Sequence, residues 1–463
     1  MPNPAAPSEL IGPDWITAVD PGGGPIYLQI VAALEAALSD GTLKAGDRLP
    51  PQRRLAARLG VDLTTITRAY TEARRRGLVD AVTGRGSFLT DGRASAAPVD
   101  LSMNIPPSPR GLDLGRLIEQ GIGQVLRRAS ADLVMSYHVG PGASAERAAG
   151  AQWLAPVTGP VAPERIVVCA GAQAALAALL STLARPGEVV LAEPRTYPGF
   201  IGAAAQLGVR VEPVAADEGG IMPDALARAC RTHAPRFLYL QPNMQNPTTV
   251  TMPEARRREI ARIAAALHLP IVEDDPYGLL AEATPPSFAA LAPALTFHVA
   301  TVSKCLTPGL RTAFLLLPVG RRADDILAGL RAFTLMPAPL MTALLAGWIQ
   351  DGTARRVLEA VRAEARARQE LARALLPESA AHPSGLHIWL PLPPHWDRHR
   401  LMEAARERGL GVTASDAFNV AGPAPDAVRV SLGAVPDRAR LAEALRTLAV
   451  IVGERRPAHH GVV

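Results

Sequence analysis

Lysine is almost absent from this chain of 463 residues, which holds two lysines, Lys44 and Lys304, against 46 arginines. Because arginine occupies nearly every surface position for a cation, a surviving lysine raises the question of what an arginine could not do there. Only an amine that can lose its proton attacks an aldehyde, and a guanidinium with a pKa above about 12 cannot. We interpret Lys44 as a remnant of an arginine-biased composition and Lys304, in the run SKCLTPGLR, as a candidate for Schiff-base chemistry.

Other absences exclude whole classes of protein. The three cysteines, Cys169, Cys230 and Cys305, form no CxxC pattern, which fits a reducing cytoplasm. None of the ten histidines lies in an HExxH motif, so no metal site is expected. No apolar run is long enough to span a membrane, and the first 13 residues have neither the basic nor the apolar region of an export signal. We therefore expect a cytoplasmic protein.

The charge is modest in total but unevenly distributed. The net charge is +5, yet residues 48–90 contain nine arginines against three acidic residues. Such a local excess is the electrostatic footprint of a nucleic-acid-binding module. Since 463 residues exceed what a single core organises, the module is expected to be one of two or three domains.

The basic region has the element order of a winged helix-turn-helix. Apolar spacing predicts helices over residues 26–40, 52–59 and 63–76, with a tight turn before the third helix. Two short strands, over residues 78–82 and 87–89, follow around a glycine turn. Three helices and a two-stranded ribbon in this order predict an α+β DNA-binding head.

Several polar side chains of this head are candidates for DNA contacts. The polar face of the third helix offers groups that reach base edges or phosphates, namely Thr64, Thr65, Thr67 and Arg68. Arg53 and Arg54 are placed to bind phosphates, and Arg85, at the tip of the ribbon, is placed for a minor groove. The alternative is a helical hairpin with an ordinary solvated basic face, and the order, spacing and charge favour DNA binding over it.

The head also resembles a known family. The run LPPQRRLAARLGV from residue 49, TITRAY from residue 65 and GRGSF from residue 84 resemble the DNA-binding domain of GntR-type bacterial repressors. Pro51 and Gln52 depart from that pattern, in which small polar or acidic residues are common, and the departure leaves the expected fold unchanged.

Beyond the head the composition changes. A stretch rich in proline, alanine and serine predicts a linker over residues 91–111. Strand and helix patterns then alternate, which predicts an α/β body with a largely parallel sheet and a smaller α+β lobe from residue 362 onward. The predicted division is a flexible N-terminus at residues 1–22, the head at 23–90, the linker at 91–111, the body at 112–450 and a tail at 451–463.

The body offers a side chain for each part of pyridoxal 5'-phosphate. A phosphate needs backbone donors at a helix start together with a cation and hydroxyl groups. The candidates for it are Ala172, Gln173, Thr301, Ser303 and Arg311. A protonated pyridine nitrogen calls for a buried carboxylate, for which Asp274 is the candidate and Asp275 the less favoured neighbour. Asn246 and Tyr277 can donate to the phenolic oxygen, and Tyr197 can stack on the ring.

Singly, these residues are weak signals, because each is also common as a cap or turn residue. In the order GAQ, EPxxYPG, QNPT, EDDPY and SKxxxPGxR they resemble the class I and II aminotransferases of fold type I, across residues 112–450. The resemblance implies that Lys304 carries the cofactor and that Tyr137 reaches the phosphate of a neighbouring subunit in a homodimer. It also implies that Arg429 binds a substrate α-carboxylate, the alternative being an outward arginine on an edge strand. Thr249 stands where that family usually has glycine, and Ala172 where it has serine or threonine.

A GntR-type head joined to an aminotransferase-like body resembles the MocR/GabR group of transcription regulators. On that interpretation the head binds promoter DNA, and the body senses an amino compound, one that carries a carboxylate, by aldimine exchange at Lys304. The alternative is a working pyridoxal phosphate-dependent aminotransferase that acts on an amino acid. A winged helix has no use in transamination, which favours the regulator, and a residual half-transamination would be compatible with it.

Overall fold

The computed structural model describes residues 15–16, 19–20, 24–44, 46–82, 86–89, 98–128 and 130–454. The chain divides into two units, Met1–Val99 and Asp100–Val463, which we call the head and the body and describe separately. No helix within the described ranges is both long and apolar enough to cross a membrane.

The head has the predicted winged helix-turn-helix order. Its elements are α1 (Ile26–Ser39), α2 (Gln52–Leu59), α3 (Leu63–Arg75), β1 (Val79–Val82) and β2 (Gly86–Leu89). Each begins and ends within one residue of its predicted bounds, and β1 pairs with β2 in antiparallel register, with Val79 opposite Leu89. The prediction of a winged helix-turn-helix head is therefore confirmed.

Local chemistry explains the turn between α2 and α3. Gly60 ends α2 with φ at 63°, a left-handed conformation that glycine adopts without steric cost. The Asp62 carboxylate then caps α3 by accepting a hydrogen bond from the N–H of Thr64 at 2.7 Å. Ile16 packs in the same core as the three helices and is 4% exposed, so the predicted flexible N-terminus is wrong at this residue. A short apolar anchor of this kind has no periodicity by which the sequence could reveal it.

The body is an α/β structure with a smaller lobe. Its helices are α4 (Leu114–Arg128), α5 (Ala131–Val134), α6 (Ser144–Thr158), α7 (Ala172–Leu183), α8 (Pro198–Gln206), α9 (Pro223–His233), α10 (Glu254–Ala266), α11 (Phe288–Leu291), α12 (Asp324–Thr334), α13 (Pro339–Gln350), α14 (Thr353–Leu375), α15 (Arg398–Glu407) and α16 (Arg438–Gly453). Its strands are β3 (Val99–Asp100), β4 (Ile166–Cys169), β5 (Val189–Ala192), β6 (Arg210–Pro213), β7 (Ala216–Asp217), β8 (Gly220–Ile221), β9 (Leu238–Leu240), β10 (Ile271–Asp274), β11 (Thr296–Thr301), β12 (Ala313–Leu316), β13 (Ala380–Ala381), β14 (His387–Pro391), β15 (Leu410–Gly411), β16 (Thr413–Ala414) and β17 (Ala427–Ser431).

Seven strands form the main sheet, in the order β4-β12-β11-β10-β9-β5-β6. β12 runs antiparallel to both of its neighbours, and the other neighbouring pairs are parallel. Strands such as β4 (IVVC) and β5 (VVLA) are buried along their whole length, as expected of a parallel sheet covered on both faces. Ligand sites in such sheets collect outside the carboxyl ends of the strands.

The smaller lobe is built on a four-stranded antiparallel sheet in the order β13-β14-β17-β16. β17 therefore lies between two neighbours and is not an edge strand. All five residues of β17 are buried, so both of its faces are covered.

The structure corrects two predicted boundaries of the body. Residues 91–111 were assigned to a linker, but Leu101 is fully buried, its N–H donates to the oxygen of Gly411 at 2.8 Å and its oxygen accepts from the N–H of Ser431 at 2.7 Å. The proline-rich composition reflects an extended segment that packs against strands, which composition alone does not distinguish from a free linker. The body also continues past residue 450, because α16 ends at Gly453.

Candidate functional site

Lys304 lies in the loop that follows β11, at the carboxyl edge of the parallel strands. Its Nζ donates a hydrogen bond to the main-chain oxygen of Asn104. Burial lowers the pKa of the Lys304 amine to about 8, with help from the charge of Arg429 and against the opposing charge of Asp274. A lowered pKa leaves more of the unprotonated amine near neutral pH, and that is the form that attacks an aldehyde.

Asp274 ends β10 and is 3% exposed. Its Oδ2 accepts hydrogen bonds from the Tyr239 hydroxyl at 2.6 Å and from Nε2 of Gln241 at 2.9 Å. Its Oδ1 has no hydrogen-bond partner among the residues that the structure describes. Burial raises the pKa of Asp274 to about 6, while the two hydrogen bonds lower it. A buried carboxylate with one unpartnered oxygen fits a protonated pyridine nitrogen.

Asp275, the alternative carboxylate, has different partners. Its Oδ2 accepts from Nδ2 of Asn243 at 3.0 Å, and its Oδ1 accepts from the N–H of Gly278 at 2.8 Å. Both oxygens of Asp275 are therefore engaged, one by the segment after β9 and one by its own loop. The geometry supports Asp274 over Asp275 as the partner of a ring nitrogen.

Asn246 and Tyr277, the predicted donors to a phenolic oxygen, are both buried. The Tyr277 hydroxyl oxygen accepts from Nδ2 of Asn104 at 2.8 Å, so its own hydrogen stays available to another acceptor. Burial raises the pKa of the Tyr277 hydroxyl above its ordinary value, which keeps that hydrogen in place. Oδ1 of Asn246 accepts from Nη1 of Arg429 at 2.9 Å, a bond that leaves the N–H groups of the amide as donors.

The predicted phosphate-binding groups gather at the start of α7. Gly171 precedes this helix with φ at 89°, and Ala172 is its first residue. A Cβ added at Gly171 would lie 2.9 Å from Nη2 of Arg311, so the missing side chain keeps room beside the guanidinium. The Thr301 hydroxyl donates to the Ser303 hydroxyl at 2.9 Å. Backbone N–H groups at a helix start, a guanidinium and hydroxyls are the set of donors that a phosphate needs.

Tyr197 and Gln173 lie against the start of α8. Tyr197 is the residue before this helix, and a Cβ added at Gly199 would lie 2.4 Å from Cζ of its ring. Nε2 of Gln173 donates to the main-chain oxygen of Gly199 at 2.7 Å. The ring is thus packed in place by its own helix, as a stacking platform requires.

One cavity of about 260 Å³ collects nearly all of the predicted body residues. It is lined by Ala172, Gln173, Tyr197, Asn246, Asp274, Tyr277, Thr301, Ser303, Lys304, Arg311 and Arg429. These residues come from motifs spread over more than half of the body sequence, and the fold brings them together at one sheet edge. Within the described ranges, no group of three or more His, Cys, Asp or Glu side chains is arranged to hold a metal ion.

Arg429, on β17, points inward and is 7% exposed. Besides its bond to Asn246, its Nη2 donates to the main-chain oxygen of Ser102, and its guanidinium lies 4.8 Å from the centre of the Phe418 ring. Burial lowers the pKa of the guanidinium, although arginine stays charged. The alternative of an outward arginine on an edge strand is wrong, because β17 has strands on both sides.

Tyr137 is the predicted cofactor residue that does not line this cavity. It is 78% exposed and lies beside a separate cavity of about 470 Å³ that Met336 and Thr342 also line. Its predicted role concerns a neighbouring subunit, and within its own chain the residue is not among those that line the cavity around Lys304.

The sequence analysis did not identify four residues in and around the site, namely Asn104, Tyr239, Gln241 and His387. Asn104 fell inside the predicted linker, although it contacts Tyr277 and also lies 3.2 Å from Nδ1 of His387. Tyr239, in β9, and Gln241, just after that strand, donate hydrogen bonds to Asp274. None of the four belongs to a motif with fixed spacing, so only the fold reveals them. Burial lowers the pKa of His387 to about 3, which keeps its ring neutral.

Thr249 keeps the backbone that a glycine would adopt. Its φ is 65°, in the left-handed region that costs most residues about 1 kcal/mol or more. Its N–H donates to the oxygen of Gln245 at 2.7 Å, which helps to hold that conformation. The departure from the family pattern therefore preserves the turn that carries Asn246.

The predicted DNA-contacting residues of the head differ in how they are held. Arg53, Arg54, Thr64, Thr67 and Arg68 are exposed, Thr65 is half-buried, and Arg85 lies outside the described residues. The Thr64 hydroxyl donates to Asp62 at 2.6 Å, and the Thr67 hydroxyl donates to Oε1 of Gln52 at 2.9 Å. The guanidinium of Arg68 lies 4.8 Å from the centre of the Tyr27 ring, a cation–π distance that orients it.

Comparison with known protein families separates the two units. The model for aminotransferase class I and II matches residues 98–448, and the model for the gntR family of bacterial regulatory proteins matches residues 26–89. The uncharacterized HTH-type transcriptional regulator YdeF of Bacillus subtilis is 28% identical to this chain, over 94% of this chain and 96% of YdeF. The HTH-type pyridoxine biosynthesis transcriptional regulator PdxR of Corynebacterium glutamicum is 28% identical, over 84% of this chain and 88% of PdxR.

Solved structures match the body. The alpha-aminoadipate aminotransferase LysN of Thermus thermophilus, in complex with N-(5'-phosphopyridoxyl)-L-leucine, superposes with a TM-score of 0.70 at 26% identity, over 78% of this chain and 95% of LysN. With a gntR-type head followed by a pyridoxal phosphate-binding body, the chain belongs to the aminotransferase class I and II family and has the domain arrangement of the MocR/GabR-type transcription regulators.

Proposed function

We propose that this protein is a pyridoxal phosphate-dependent transcriptional regulator that binds promoter DNA through its head and senses a small amino compound in its body. One observation carries the proposal: a winged helix with an exposed arginine face shares the chain with a cavity that holds Lys304 and the unpartnered oxygen of Asp274. A protein that only transferred amino groups would have no use for such a head.

In the proposal, the cofactor is held at each of its parts by one group of residues. Lys304 binds it covalently, Asp274 accepts from the ring nitrogen, and Asn246 and Tyr277 donate to the phenolic oxygen. Tyr197 stacks on the ring, and the phosphate is bound by Ala172, Gln173, Thr301, Ser303 and Arg311. When bound, the cofactor supplies an aldehyde carbon at which the lysine amine can be exchanged for the amine of another compound. Borohydride reduction and peptide mapping should find the pyridoxyl group on Lys304, and a label on Lys44 would contradict the assignment.

Arg429 suggests what kind of amine the body senses. Its guanidinium lines the same cavity as Lys304, and no acidic side chain is bonded to it among the described residues. A buried guanidinium with planar, fork-shaped donors suits a carboxylate, so the proposed effector carries both an amino group and a carboxylate. The name of PdxR, which refers to pyridoxine biosynthesis, makes a vitamin B6 compound a second candidate for the effector.

Coupling between the effector and the DNA needs no large energy. A coupling free energy of about 1–3 kcal/mol changes DNA affinity roughly 5- to 150-fold. The effector must bind one arrangement of the protein more tightly than another by that amount, and contacts at Lys304 and Arg429 supply interactions of that size.

On the DNA side, Arg53 and Arg54 are proposed to bind phosphates from the exposed start of α2, and Arg68 to reach the major groove. Thr64, Thr65 and Thr67 are proposed to contribute from the same helix face, and Arg85 from the wing. The hydroxyls of Thr64 and Thr67 are engaged within the head, so the structure favours them as residues that shape the reading face.

The proposed working form is a homodimer in the cytoplasm. Tyr137 is exposed, as are its chain neighbours Met135 and Val139, large apolar side chains that a monomer would leave in water. A second copy that covered this surface would bring Tyr137 to the phosphate of its neighbour. Two heads in one dimer would then bind two half-sites.

The alternative function is catalysis of amino-group transfer. The observation that favours it is that the candidate cofactor residues other than Tyr137 line one cavity with Lys304. The 2-aminoadipate transaminase of Thermus thermophilus is 29% identical over 69% of this chain and 82% of its own length. The two functions differ in the consequence of binding an amino compound, which is a change in DNA affinity for the regulator and repeated turnover for the enzyme.

A visible-absorbance titration of the purified protein against a panel of amino compounds tests the proposal, because the lysine-bound cofactor changes its spectrum when its lysine is displaced. The regulator proposal expects one class of compound to change the spectrum at low concentration, without consumption of an added keto acid. A panel in which no compound changes the spectrum would contradict the proposed sensing step.

A further inference from the structure

One oxygen of Asp274 is held by two buried donors, and the other is not. The Tyr239 hydroxyl donates to Oδ2 at 2.6 Å, and Nε2 of Gln241 donates to the same oxygen at 2.9 Å. Oδ1 has no partner in the part of the chain that the structure describes. The carboxylate is therefore fixed in one orientation, with Oδ1 left to accept a further hydrogen bond.

Both donors are themselves held in place. The Tyr239 ring, in β9, is fully buried and stacks on Phe200 of α8 with ring centres 3.8 Å apart and planes 5° apart. Oε1 of Gln241 accepts from the N–H of Asn246 at 3.4 Å, and the N–H of Gln241 donates to Glu193 at 3.2 Å. Gln241 thus connects Asp274 with the loop that carries the predicted donor to the phenolic oxygen.

We infer that Tyr239 and Gln241 are positioning residues that hold Asp274 as an ionised acceptor directed at the pyridine nitrogen of pyridoxal phosphate. The inference rests on the proposed function, in which Asp274 pairs with that nitrogen. In this role each residue acts through the carboxylate. Tyr239 is not among the residues that line the cavity around Lys304, whereas Gln241 lines it, so Tyr239→Phe is the more direct test. Hydrogen bonds donated to a buried carboxylate favour its ionised form over its protonated form.

The electrostatic balance at Asp274 makes these two donors important. Burial raises the pKa of Asp274 to about 6, and the bonds from Tyr239 and Gln241 hold it below a still higher value. The other ionisable groups that act on it from the surrounding elements are Asp275, His298, Glu193, Tyr197, Tyr277 and Lys304. Loss of the Tyr239 hydroxyl removes one donor and raises the pKa of Asp274 further. A larger fraction of the carboxyl is then protonated as the pH falls toward 6.

The test measures binding of pyridoxal phosphate and of its 1-deaza analogue, which has C–H in place of the ring nitrogen, to cofactor-stripped protein. The wild type is expected to bind pyridoxal phosphate more tightly than the analogue. Tyr239→Phe is expected to bind pyridoxal phosphate about 10-fold more weakly than the wild type at about pH 6.5, with nearly full recovery at about pH 8.5. Its affinity for the analogue should equal that of the wild type at both pH values. Gln241→Leu should show the same loss of affinity for pyridoxal phosphate and the same unchanged affinity for the analogue. It replaces Tyr239→Phe as the test variant if Tyr239→Phe does not fold.

Tyr70→Phe is the matched control. Tyr70 is buried in the head, and its hydroxyl donates to the oxygen of Pro50 at 2.6 Å, the same length as the bond from Tyr239. This variant should bind both compounds as the wild type does. The inference is overturned if Tyr239→Phe keeps wild-type affinity for pyridoxal phosphate at about pH 6.5, or if it loses affinity for both compounds equally. Either result would leave the proposed function standing, whereas a wild type that binds no pyridoxal phosphate would overturn both.

Discussion

Nη1 of Arg429 donates a hydrogen bond to Oδ1 of Asn246 at 2.9 Å, and this bond joins a central strand of the smaller lobe to the loop after β9. The same guanidinium donates from Nη2 to the main-chain oxygen of Ser102. A ligand carboxylate would compete with both of these acceptors for the arginine. Binding of the ligand would therefore change the contacts of the segment that follows β3, the first strand of the body.

Replacement of the arginine should separate recognition of the carboxylate from binding of the cofactor. Arg429→Ala is expected to keep the absorbance of the lysine-bound cofactor, because Lys304 and Asp274 are unchanged. Its affinity for an amino acid that perturbs the wild-type spectrum should fall about 10- to 100-fold, because charge-assisted hydrogen bonds usually contribute that much to the binding constant. Parallel absorbance titrations with that amino acid and with its decarboxylated amine make the measurement.

The decarboxylated amine should bind Arg429→Ala and the wild type about equally. Arg322→Ala serves as the control, because Arg322 is exposed in the body and pairs with Asp324 at 2.8 Å. An equal loss of affinity for the acid and the amine would show that Arg429 supports the cavity without reading a carboxylate.

Loading of the cofactor should follow the ionisation of Lys304. Burial lowers the pKa of its amine from 10.5 to about 8, so the reactive, unprotonated form becomes more abundant as the pH rises toward 8. The rate at which stripped protein captures pyridoxal phosphate should rise about tenfold per pH unit below 8 and level off above it. Stopped-flow absorbance from pH 6 to 10 provides the measurement. A rate that still rose steeply between pH 9 and 10 would place the pKa near its ordinary value and contradict the effect of burial.

The body should be a dimer whose cofactor sites depend on both subunits. Light scattering of the cofactor-loaded protein is expected to give twice the chain mass of 48.7 kDa. Tyr137→Phe should weaken cofactor binding without a change in fold, because the exposed hydroxyl would lose its phosphate partner across the interface. A monomer that holds the cofactor with wild-type affinity would rule out both the interface and the role of Tyr137.

Substitutions in the head should weaken DNA binding without affecting the cofactor. Arg53→Ala is expected to lower the affinity for promoter DNA and to reduce the slope of log affinity against log salt by about one unit, the signature of one lost phosphate contact. Arg68→Ala should weaken binding strongly, and Tyr27→Leu should do so in part, because the Tyr27 ring orients the Arg68 guanidinium. Anisotropy titrations at several salt concentrations measure the effect, and absorbance spectra provide the control. Unchanged DNA affinity in both arginine variants would refute the assigned DNA-binding face.

The sequence predicted the elements whose signals are local. The helices and strands of the head were found within one residue of their predicted bounds, because apolar periodicity and the glycine at residue 60 are read over a few neighbouring residues. Residues that line one cavity were predicted together because strand-end motifs such as QNPT and SKCLTPGLR carry their chemistry in fixed short runs. Fold type I geometry then brings such runs together at one sheet edge.

Residues whose role depends on distant partners were not predictable in this way. Tyr239 lies 35 residues before Asp274, and Asn104 lies 173 residues before Tyr277, separations with no periodic signature. Asn104 was also hidden in a proline-rich stretch that resembles a linker by composition. Which of these residues meet depends on the order of the strands and on how the smaller lobe packs against the rest of the body. A single sequence does not reveal either.

The most direct test of the regulator proposal is an anisotropy titration of DNA from upstream of the protein's own gene, with and without an amino compound that perturbs the cofactor spectrum. The wild type should prefer this DNA to a scrambled duplex, and the compound should change its affinity about 5-fold or more. Lys304→Ala should bind the same DNA with the affinity of the unliganded wild type and give no response to the compound. Equal wild-type affinity for the promoter and the scrambled duplex, unchanged by the compound, would contradict the proposal and leave the aminotransferase alternative.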